Sequence, residues 1–223
     1  MIVFFRESFN RWIFFCFLFI GSLLAVRFFI SGSLRFSFLV WNLFLAFIPY
    51  LVSRLLINPR LKKPWLRGMI FSGWLLFFPN ALYIITDLIH LETNTNVPIW
   101  YDAILLFTAS FAGLALGFAS VVNVEYVMEK FLPKKYIPTV IVFLIFLGSF
   151  GVYLGRFERW NSWDIISDPF MLAKDIADRF ISPFAHVRTW AVTFILTGLY
   201  TVCWFFLKSF PFSAIKIRDE DAG

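Results

Sequence analysis

Charged residues are scarce in this sequence. They make up 15% of it, whereas hydrophobic residues make up 60% and the mean hydropathy is +0.79. A soluble domain carries roughly 25% charged residues, because a wetted surface must cover its core. This chain has too little polar material for such a surface. We therefore exclude a soluble globular domain and expect lipid to be the solvent for most of the chain.

Cysteine and histidine are also rare, with two residues of each. Cys16 and Cys203 lie in apolar runs, where lone cysteines usually act as small buried hydrophobic residues, so we expect no disulfide. His90 and His186 are too few for a multi-histidine zinc site. No phosphate-binding glycine loop, Gly-x-Ser-x-Gly elbow or His-Glu-x-x-His motif is present. We therefore predict neither a bound metal nor a cofactor.

The net charge of +6 would suggest a nucleic-acid partner if the protein were soluble. No basic stretch carries a nucleic-acid recognition motif, and membrane proteins concentrate Lys and Arg in their cytoplasmic loops. Membrane lipid is therefore the expected partner, and we expect no nucleic acid.

Six stretches are apolar enough and long enough to cross the bilayer as helices, which takes about 20 residues each. None alternates polar and apolar residues as a barrel strand would, and lipid leaves no other way to pair every backbone amide. The sequence therefore predicts an all-α bundle of six transmembrane helices in a single integral membrane domain, residues 1–223. The predicted helices are about 12–30, 37–57, 67–89, 101–128, 136–155 and 187–207.

The first predicted helix has the shape of a secretory signal peptide. Its only cleavage candidate, residues 22–25, is weak and is followed soon by Arg27. We expect this helix to remain uncleaved.

Lysine and arginine predict the orientation. With the N-terminus inside, thirteen of these residues fall on the cytoplasmic side and seven on the other. The short loops 58–66 and 129–135 are basic, whereas 90–100 has neither Lys nor Arg. The last outer loop carries five basic residues, which five acidic residues balance. We expect both termini in the cytoplasm and the protein in an inner membrane.

The last outer loop also contains an amphipathic segment. Asp168 and Pro169 form a helix start, apolar residues recur at helical spacing over 169–181, and Ser182 and Pro183 end the run. This pattern predicts an amphipathic helix that lies in the outer membrane interface.

The third helix carries a polar stripe, Asn80, Tyr83, Asp87 and His90, whose spacing places the four on one face. Asp87 and His90 are potential metal ligands or an acid/base pair, but polar residues are also common at helix ends. Asn80 follows Pro79, which leaves the carbonyl of residue 75 without its backbone donor, and its amide is a potential substitute donor.

Two further polar clusters share that membrane face. One opens the fourth helix with Trp100, Tyr101 and Asp102. The other follows the fifth helix and is dense in arginine, acid and tryptophan: Arg156, Glu158, Arg159, Trp160, Asn161, Trp163 and Asp164. A salt-bridged rim with aromatic anchors explains both, and so does an outward-facing polar site in which arginine binds phosphate or carboxylate. A shared site requires Asp87 or Asp102 to pair with Arg156 or Arg159.

These clusters resemble a family of uncharacterised bacterial integral membrane proteins, the domain of unknown function 1361. The resemblance covers roughly residues 40–170 and implies a bacterial multi-pass membrane protein with no known activity. The matching stretches are Trp41-Asn42-Leu43 with Pro49, Phe78-Pro79-Asn80-Ala81 through Tyr83 to Thr86-Asp87-Leu88, Trp100-Tyr101-Asp102, Gly151-Val152-Tyr153-Leu154-Gly155-Arg156 and Arg159-Trp160-Asn161-Ser162-Trp163-Asp164.

Three functions fit the sequence. The first is a binding or accessory subunit that docks another envelope protein at its outer face. The second is an enzyme that acts on a lipid headgroup or lipid-linked glycan at the outer leaflet. The third is an uncoupled transporter of a small solute. Ion coupling would require an ionisable residue deep in the membrane, and none lies deep in the second to sixth helices.

The orientation can be tested with single cysteines placed at Lys63 and at Thr95. Thr95 lies in the loop that lacks Lys and Arg, so an impermeant thiol reagent applied to intact cells is expected to label it and to leave position 63 unlabelled. Labelling at position 63 but not at 95 would reverse the orientation.

Overall fold

The structure is a computed structural model that describes residues 2–61, 63–92 and 96–209, without the side chains of residues 2–6. Five residues used above for orientation or labelling lie outside this description, in part or in full: Arg6, Lys62, Thr95, Lys216 and Arg218.

The described residues form helices and no strand, so the predicted all-α class is confirmed. The α-helices in chain order are α1 Ile2–Ser31, α2 Phe38–Leu56, α3 Pro64–Tyr83, α4 Ile99–Met128, α5 Ile137–Phe157, α6 Asp164–Ser167, α7 Pro169–Ile181 and α8 Val187–Ser209. Two 3₁₀ segments, Ile84–His90 and Lys134–Tyr136, follow α3 and precede α5.

Six helices are long and apolar enough to cross a membrane, as predicted. They make the chain a multi-pass membrane protein. Five agree with the predicted bounds to within a few residues, but α1 begins at Ile2 rather than at 12. The extension is held by packing, because the Tyr50 hydroxyl of α2 donates to Asn10 Oδ1 at 2.8 Å and its ring packs on Phe9. Polar residues near the start of α1 interrupt the apolar run, so hydropathy alone did not predict this part of the helix.

The third predicted helix is also corrected, because its last part is 3₁₀ rather than α. Three side-chain hydroxyls donate to carbonyls that, in an α-helix, would accept from the backbone amides four residues further on. Occupying these carbonyls favours the tighter 3₁₀ winding. The three bonds run from Tyr200 Oη to the Leu82 carbonyl at 2.8 Å, from Thr86 Oγ1 to that of Tyr83 at 2.6 Å, and from Ser110 Oγ to that of Ile84 at 3.1 Å.

Glycines allow α4 and α5 to approach α3 and its 3₁₀ segment closely. A Cβ added to Gly113 of α4 would lie 2.8 Å from Ile84 Cδ1. One added to Gly148 of α5 would lie 2.7 Å from the Phe78 ring, and one added to Gly151 would lie 2.4 Å from Pro79 Cγ. Helix α3 therefore packs closely against α2, α4 and α5, and α2 and α5 lie on either side of the cavity described below.

Helix α7 covers the residues predicted for the amphipathic helix. Asp168 caps it by accepting from the Met171 amide at 3.4 Å. Leu172 and Ile176 face the protein, whereas Phe170 is 87% exposed on the opposite face. Such two-sidedness is typical of a helix in a membrane interface.

The up-and-down succession of the spans places the start of α1 and the end of α8 at one end of the bundle, with the basic loops 57–63 and 129–136. We call this the basic end. Lys208 of α8 pairs with Glu125 of α4 there, at 2.9 Å. The opposite end, where α3 gives way to its 3₁₀ segment and where α7 lies, is called the Asp87 end.

The contact between Gly151 and Pro79 predicts the effect of one methyl group. Gly151→Ala is expected to destabilise the protein by about 1–3 kcal/mol, because the proline ring cannot move aside. The melting temperature in detergent measures this.

Gly198→Ala on α8 is the control, since nothing lies within 4 Å of its added Cβ. It is expected to leave the melting temperature unchanged or to raise it, because alanine favours helix. Equal melting temperatures for the two variants would contradict the close packing of α5 on α3.

Candidate functional site

A buried ion pair joins α5 to the 3₁₀ segment after α3. Arg156 at the end of α5 pairs with Asp87 through Nη2 and Oδ1, and the Asp87 side chain is 1% exposed. The other carboxylate oxygen accepts from Asn42 Nδ2 of α2 at 2.8 Å. Three elements are thus tied together through one carboxylate, and of the pairs that a shared site requires between Asp87 or Asp102 and Arg156 or Arg159, the one between Asp87 and Arg156 is present.

The other two nitrogens of the Arg156 guanidinium also have partners. Its Nε donates to Thr86 Oγ1 at 2.7 Å, and its Nη1 lies 3.3 Å from His90 Nε2. A guanidinium has no acceptor, so the histidine nitrogen accepts. The guanidinium carbon lies 4.0 Å from the centroid of the Tyr83 ring, in cation–π geometry. We call these six residues the Asp87 cluster: Asn42, Tyr83, Thr86, Asp87, His90 and Arg156.

This saturation limits the chemistry open to the cluster. Asp87 has both oxygens engaged, and His90 has Nε2 engaged with Arg156. Glu92, an acid two residues after His90, pairs with Arg35 at the surface. That hydrogen bond holds the pKa of Glu92 below its ordinary value. The three residues therefore do not converge on a common metal or substrate.

Asp102 belongs to a second, separate ion pair. It binds Arg27 of α1 in a two-pronged arrangement, with Nε to Oδ1 at 2.8 Å and Nη2 to Oδ2 at 3.1 Å. Both side chains are almost wholly buried, and the guanidinium lies 4.5 Å from the Phe36 ring. Tyr101 stays nearby by donating to the Leu23 carbonyl at 2.8 Å, whereas Trp100 is exposed. These residues fasten α4 to α1 and do not join the Asp87 cluster.

A third ion cluster, which we call the Arg179 cluster, fastens α7 to the end of α5. Arg179 of α7 is 3% exposed and pairs with Glu158 at 2.9 Å and with Asp175. Glu158 also accepts from the Tyr153 hydroxyl at 2.8 Å, and Asp175 accepts from Trp160 Nε1 at 2.7 Å. Trp160 thus anchors the loop under α7.

The loop between α5 and α6 is shaped by Asp164. Its Oδ2 accepts from the Asn161 backbone amide at 2.6 Å, and this bond is the main reason that the pKa of Asp164 lies below its ordinary value. Arg159 adopts a left-handed φ of 63° and, among the described residues, has no ion-pair partner. The two arginines of the predicted cluster therefore differ: Arg156 is paired and largely buried, whereas Arg159 is exposed.

A cavity of about 340 Å³ lies at the Asp87 end between α2, α3, α5, the 158–163 loop and α7. Its aromatic and polar lining includes five of the predicted site residues, Asn80, Tyr83, Trp160, Asn161 and Trp163, together with Trp41, Asn42 and Ser162. Its deepest residues are leucines near the middle of their helices, Leu45, Leu75 and Leu147.

Asn80 has a different role from the one expected. Its Nδ2 donates to the Phe77 carbonyl at 3.1 Å and to Ser162 Oγ at 3.0 Å, rather than to the carbonyl of Leu75. The hydroxyl of Ser162 in turn donates to the Leu76 carbonyl at 3.2 Å. Asn80 therefore pins the loop after α5 onto α3 and forms one wall of the cavity.

The cavity lining is uncharged. Among the described residues around it, Tyr83 is the one with an ionisable side chain. The buried arginines of this end and the acids that pair with them form the Asp87 cluster, the Arg27–Asp102 pair and the Arg179 cluster. Ion pairs thus surround a cavity that offers amides, hydroxyls and aromatic rings.

Sequence reasoning missed several residues of this region. Arg27 was only counted for orientation, although a lone arginine near the end of an apolar helix is a signal for a buried partner. Asn42 gave a similar signal as an amide inside a span. The charges of the last outer loop were expected to balance one another locally. Nothing in the spacing of Glu158, Asp175 and Arg179 indicated that they would hold α7 over the cavity as its roof.

The fold and this end of the bundle define an all-α, multi-pass membrane protein with a cavity that is bordered by buried ion pairs. The family model for the protein of unknown function DUF1361 matches residues 41–203. The chain belongs to that family. Searches of curated proteins and of solved structures found no match.

Replacing a carboxylate by an amide is expected to have very different effects in two ion pairs at the Asp87 end. Asp102→Asn leaves Arg27 buried without its countercharge, so it is expected to cost about 3–5 kcal/mol and to lower the melting temperature in detergent clearly. Glu92→Gln opens the exposed pair with Arg35 and is expected to leave the melting temperature nearly unchanged. Similar losses in the two variants would contradict the burial of the Arg27–Asp102 pair.

Proposed function

We propose that this chain is a bacterial inner-membrane protein that acts as a binding or accessory subunit of an envelope complex. Both termini lie in the cytoplasm, and the cavity at the Asp87 end faces outward. A membrane amphiphile binds in this cavity and is held there without being converted.

The distribution of basic residues supports this orientation. The basic end carries Lys or Arg in both of its short loops and at the end of α8, whereas the Lys and Arg side chains buried at the Asp87 end are paired with acids. Unpaired basic loops are retained on the cytoplasmic side of bacterial membranes.

Binding is favoured over catalysis by the uncharged lining of the cavity, which is the observation that carries the proposal. A general acid or base must lie within hydrogen-bond reach of the substrate. Asp87 and Asp102 are buried with both oxygens engaged, and neither lines the cavity. The remaining ionisable group in the lining, Tyr83, has its ring packed on Arg156.

Transport is disfavoured by the depth profile of the cavity. Its polar residues lie near the Asp87 end, and its deepest ones are Leu45, Leu75 and Leu147. A hydrated solute would meet an apolar barrier there, because desolvating polar groups without new hydrogen bonds is costly. An amphiphile would instead place its chain against these leucines.

The outer surface of α7 supports a partner at this face. Phe170 on α7 is 87% exposed, and Phe184, in the turn that follows α7, is 92% exposed. Exposed apolar side chains of this size mark surfaces that are covered by lipid or by another protein. An envelope protein seated there would contact α7 and, through it, the occupied cavity.

The proposal predicts that blocking the cavity removes a bound molecule. Native mass spectrometry of the protein, released from polymer-bounded native membrane discs, is expected to show one small-molecule adduct per chain. Leu45→Trp should abolish it, because Leu45 lines the cavity. Leu51→Trp should retain it, since Leu51 lies on the same helix but is exposed toward lipid.

An adduct that is absent from the wild type, or present equally in both variants, would refute ligand binding in this cavity. Conversion of the adduct to a product of different mass on incubation would favour an enzyme. A second protein at fixed ratio in the same discs would support the accessory role.

A further inference from the structure

We infer that the cavity recognises the uncharged, hydroxyl-bearing headgroup of a membrane lipid, such as a hexosyl group. This inference rests on the proposed function, since it names the ligand of the proposed binding site. Three observations support it: acceptors without donors, a lining without charge, and aromatic rings in that lining.

The cavity offers acceptors that lack donors. Asn42 Nδ2 donates to a carboxylate and Asn80 Nδ2 to a carbonyl, and these acceptor-only partners fix the orientation of both amides. Each Oδ1 is left without a hydrogen bond within the described chain, and so is the hydroxyl of Tyr83. A ligand that satisfies these atoms must donate several hydrogen bonds, as a polyol does.

Charged headgroups fit poorly in the same place. A phosphate has acceptors but few donors, and none of the described lining residues is a free cation. Arg156, which packs on the lining residue Tyr83, has its Nε and Nη2 engaged by Thr86 and Asp87, and the exposed Arg159 precedes the lining residue Trp160 without itself lining the cavity. A quaternary ammonium would find aromatic rings but would still bring a phosphate without a partner. An ion placed in this uncharged lining would lose hydration without compensation.

Aromatic rings complete the match. Trp41 on α2 and Trp163 in the loop after α5 line the cavity and are 53% and 44% exposed, and Trp160, also in the lining, is held by its bond to Asp175. The face of an aromatic ring carries partial negative charge, and the C–H groups of a sugar ring carry partial positive charge. Sugar rings therefore pack well against such faces.

The size and depth of the cavity suit a headgroup with the start of its chain. A volume of about 340 Å³ is at the lower end of ligand pockets. Three leucines form its deep end near mid-membrane. The hydroxyls of a lipid would thus lie beside the amides and its hydrocarbon beside the leucines.

Octyl glucoside is the probe for this inference, with octyl sulfate, octyltrimethylammonium and free glucose as comparisons. The full chain is held in an uncharged polyoxyethylene detergent, each probe is kept below its micelle-forming concentration, and adducts are counted by native mass spectrometry. Octyl glucoside is expected to bind one per chain, at least tenfold more tightly than the other three, and Leu45→Trp is expected to block it.

Tyr83→Phe is the sharper variant, because it removes only the unpartnered hydroxyl and keeps the ring against Arg156. It is expected to weaken octyl glucoside binding by about threefold to tenfold, the effect of one hydrogen bond, with an unchanged melting temperature. Wild-type affinity in this variant would remove Tyr83 from the recognition of the headgroup and overturn that part of the inference.

The comparison probes separate failure of the inference from failure of the proposed function. Octyl sulfate or octyltrimethylammonium binding as tightly as the glucoside, and still blocked by Leu45→Trp, would overturn the headgroup assignment but leave an amphiphile site. Free glucose binding as tightly would overturn the lipid assignment. No blockable binding of any probe would count against the proposed function itself.

Discussion

Arg156 brings a guanidinium into a region where water is scarce, and such a charge persists only with its donors engaged and its countercharge in contact. The partners come from separate elements: Asp87 and Thr86 from the segment after α3, and Asn42 from α2 through the shared carboxylate. Satisfying one side chain therefore sets where three helices end relative to one another. The loop that follows Arg156 starts from this fixed point, and the roof of the cavity depends on that loop.

The other charges of this end follow the same rule and leave the cavity neutral. Arg27 takes up Asp102, and Arg179 takes up Glu158 and Asp175. Isolated surface pairs contribute little, but buried pairs fix geometry because breaking one strands its partner. With the charges used in this way, amides, hydroxyls and tryptophans are left to meet a ligand. The chemistry of the cavity is thus a consequence of how the surrounding charges are neutralised.

Local properties of the sequence were sufficient for the spans and for α7, whereas for the charged residues they predicted only that Asp87 or Asp102 would meet Arg156 or Arg159. Apolar length determines the spans, and α7 follows from its own periodicity and Asp168 cap. The Arg27–Asp102 pair could not be derived, because it depends on α1 lying beside α4 and its members are 75 residues apart. The 3₁₀ winding after α3 depends on Tyr200, which is 118 residues from the carbonyl it binds. Such features require the order of helices in the bundle.

The neutralised charges also bear on how the protein responds to an energised membrane. A transmembrane voltage does work of about 2.3 kcal/mol per elementary charge per 100 mV. Asp87 with Arg156, and Asp102 with Arg27, each sum to zero and are held in direct contact. An uncharged occupant of the cavity adds nothing to that sum. For the proposed uncharged ligand, the electric field would therefore exert no net force on these pairs or on the ligand, and we expect the same affinity with and without a membrane voltage.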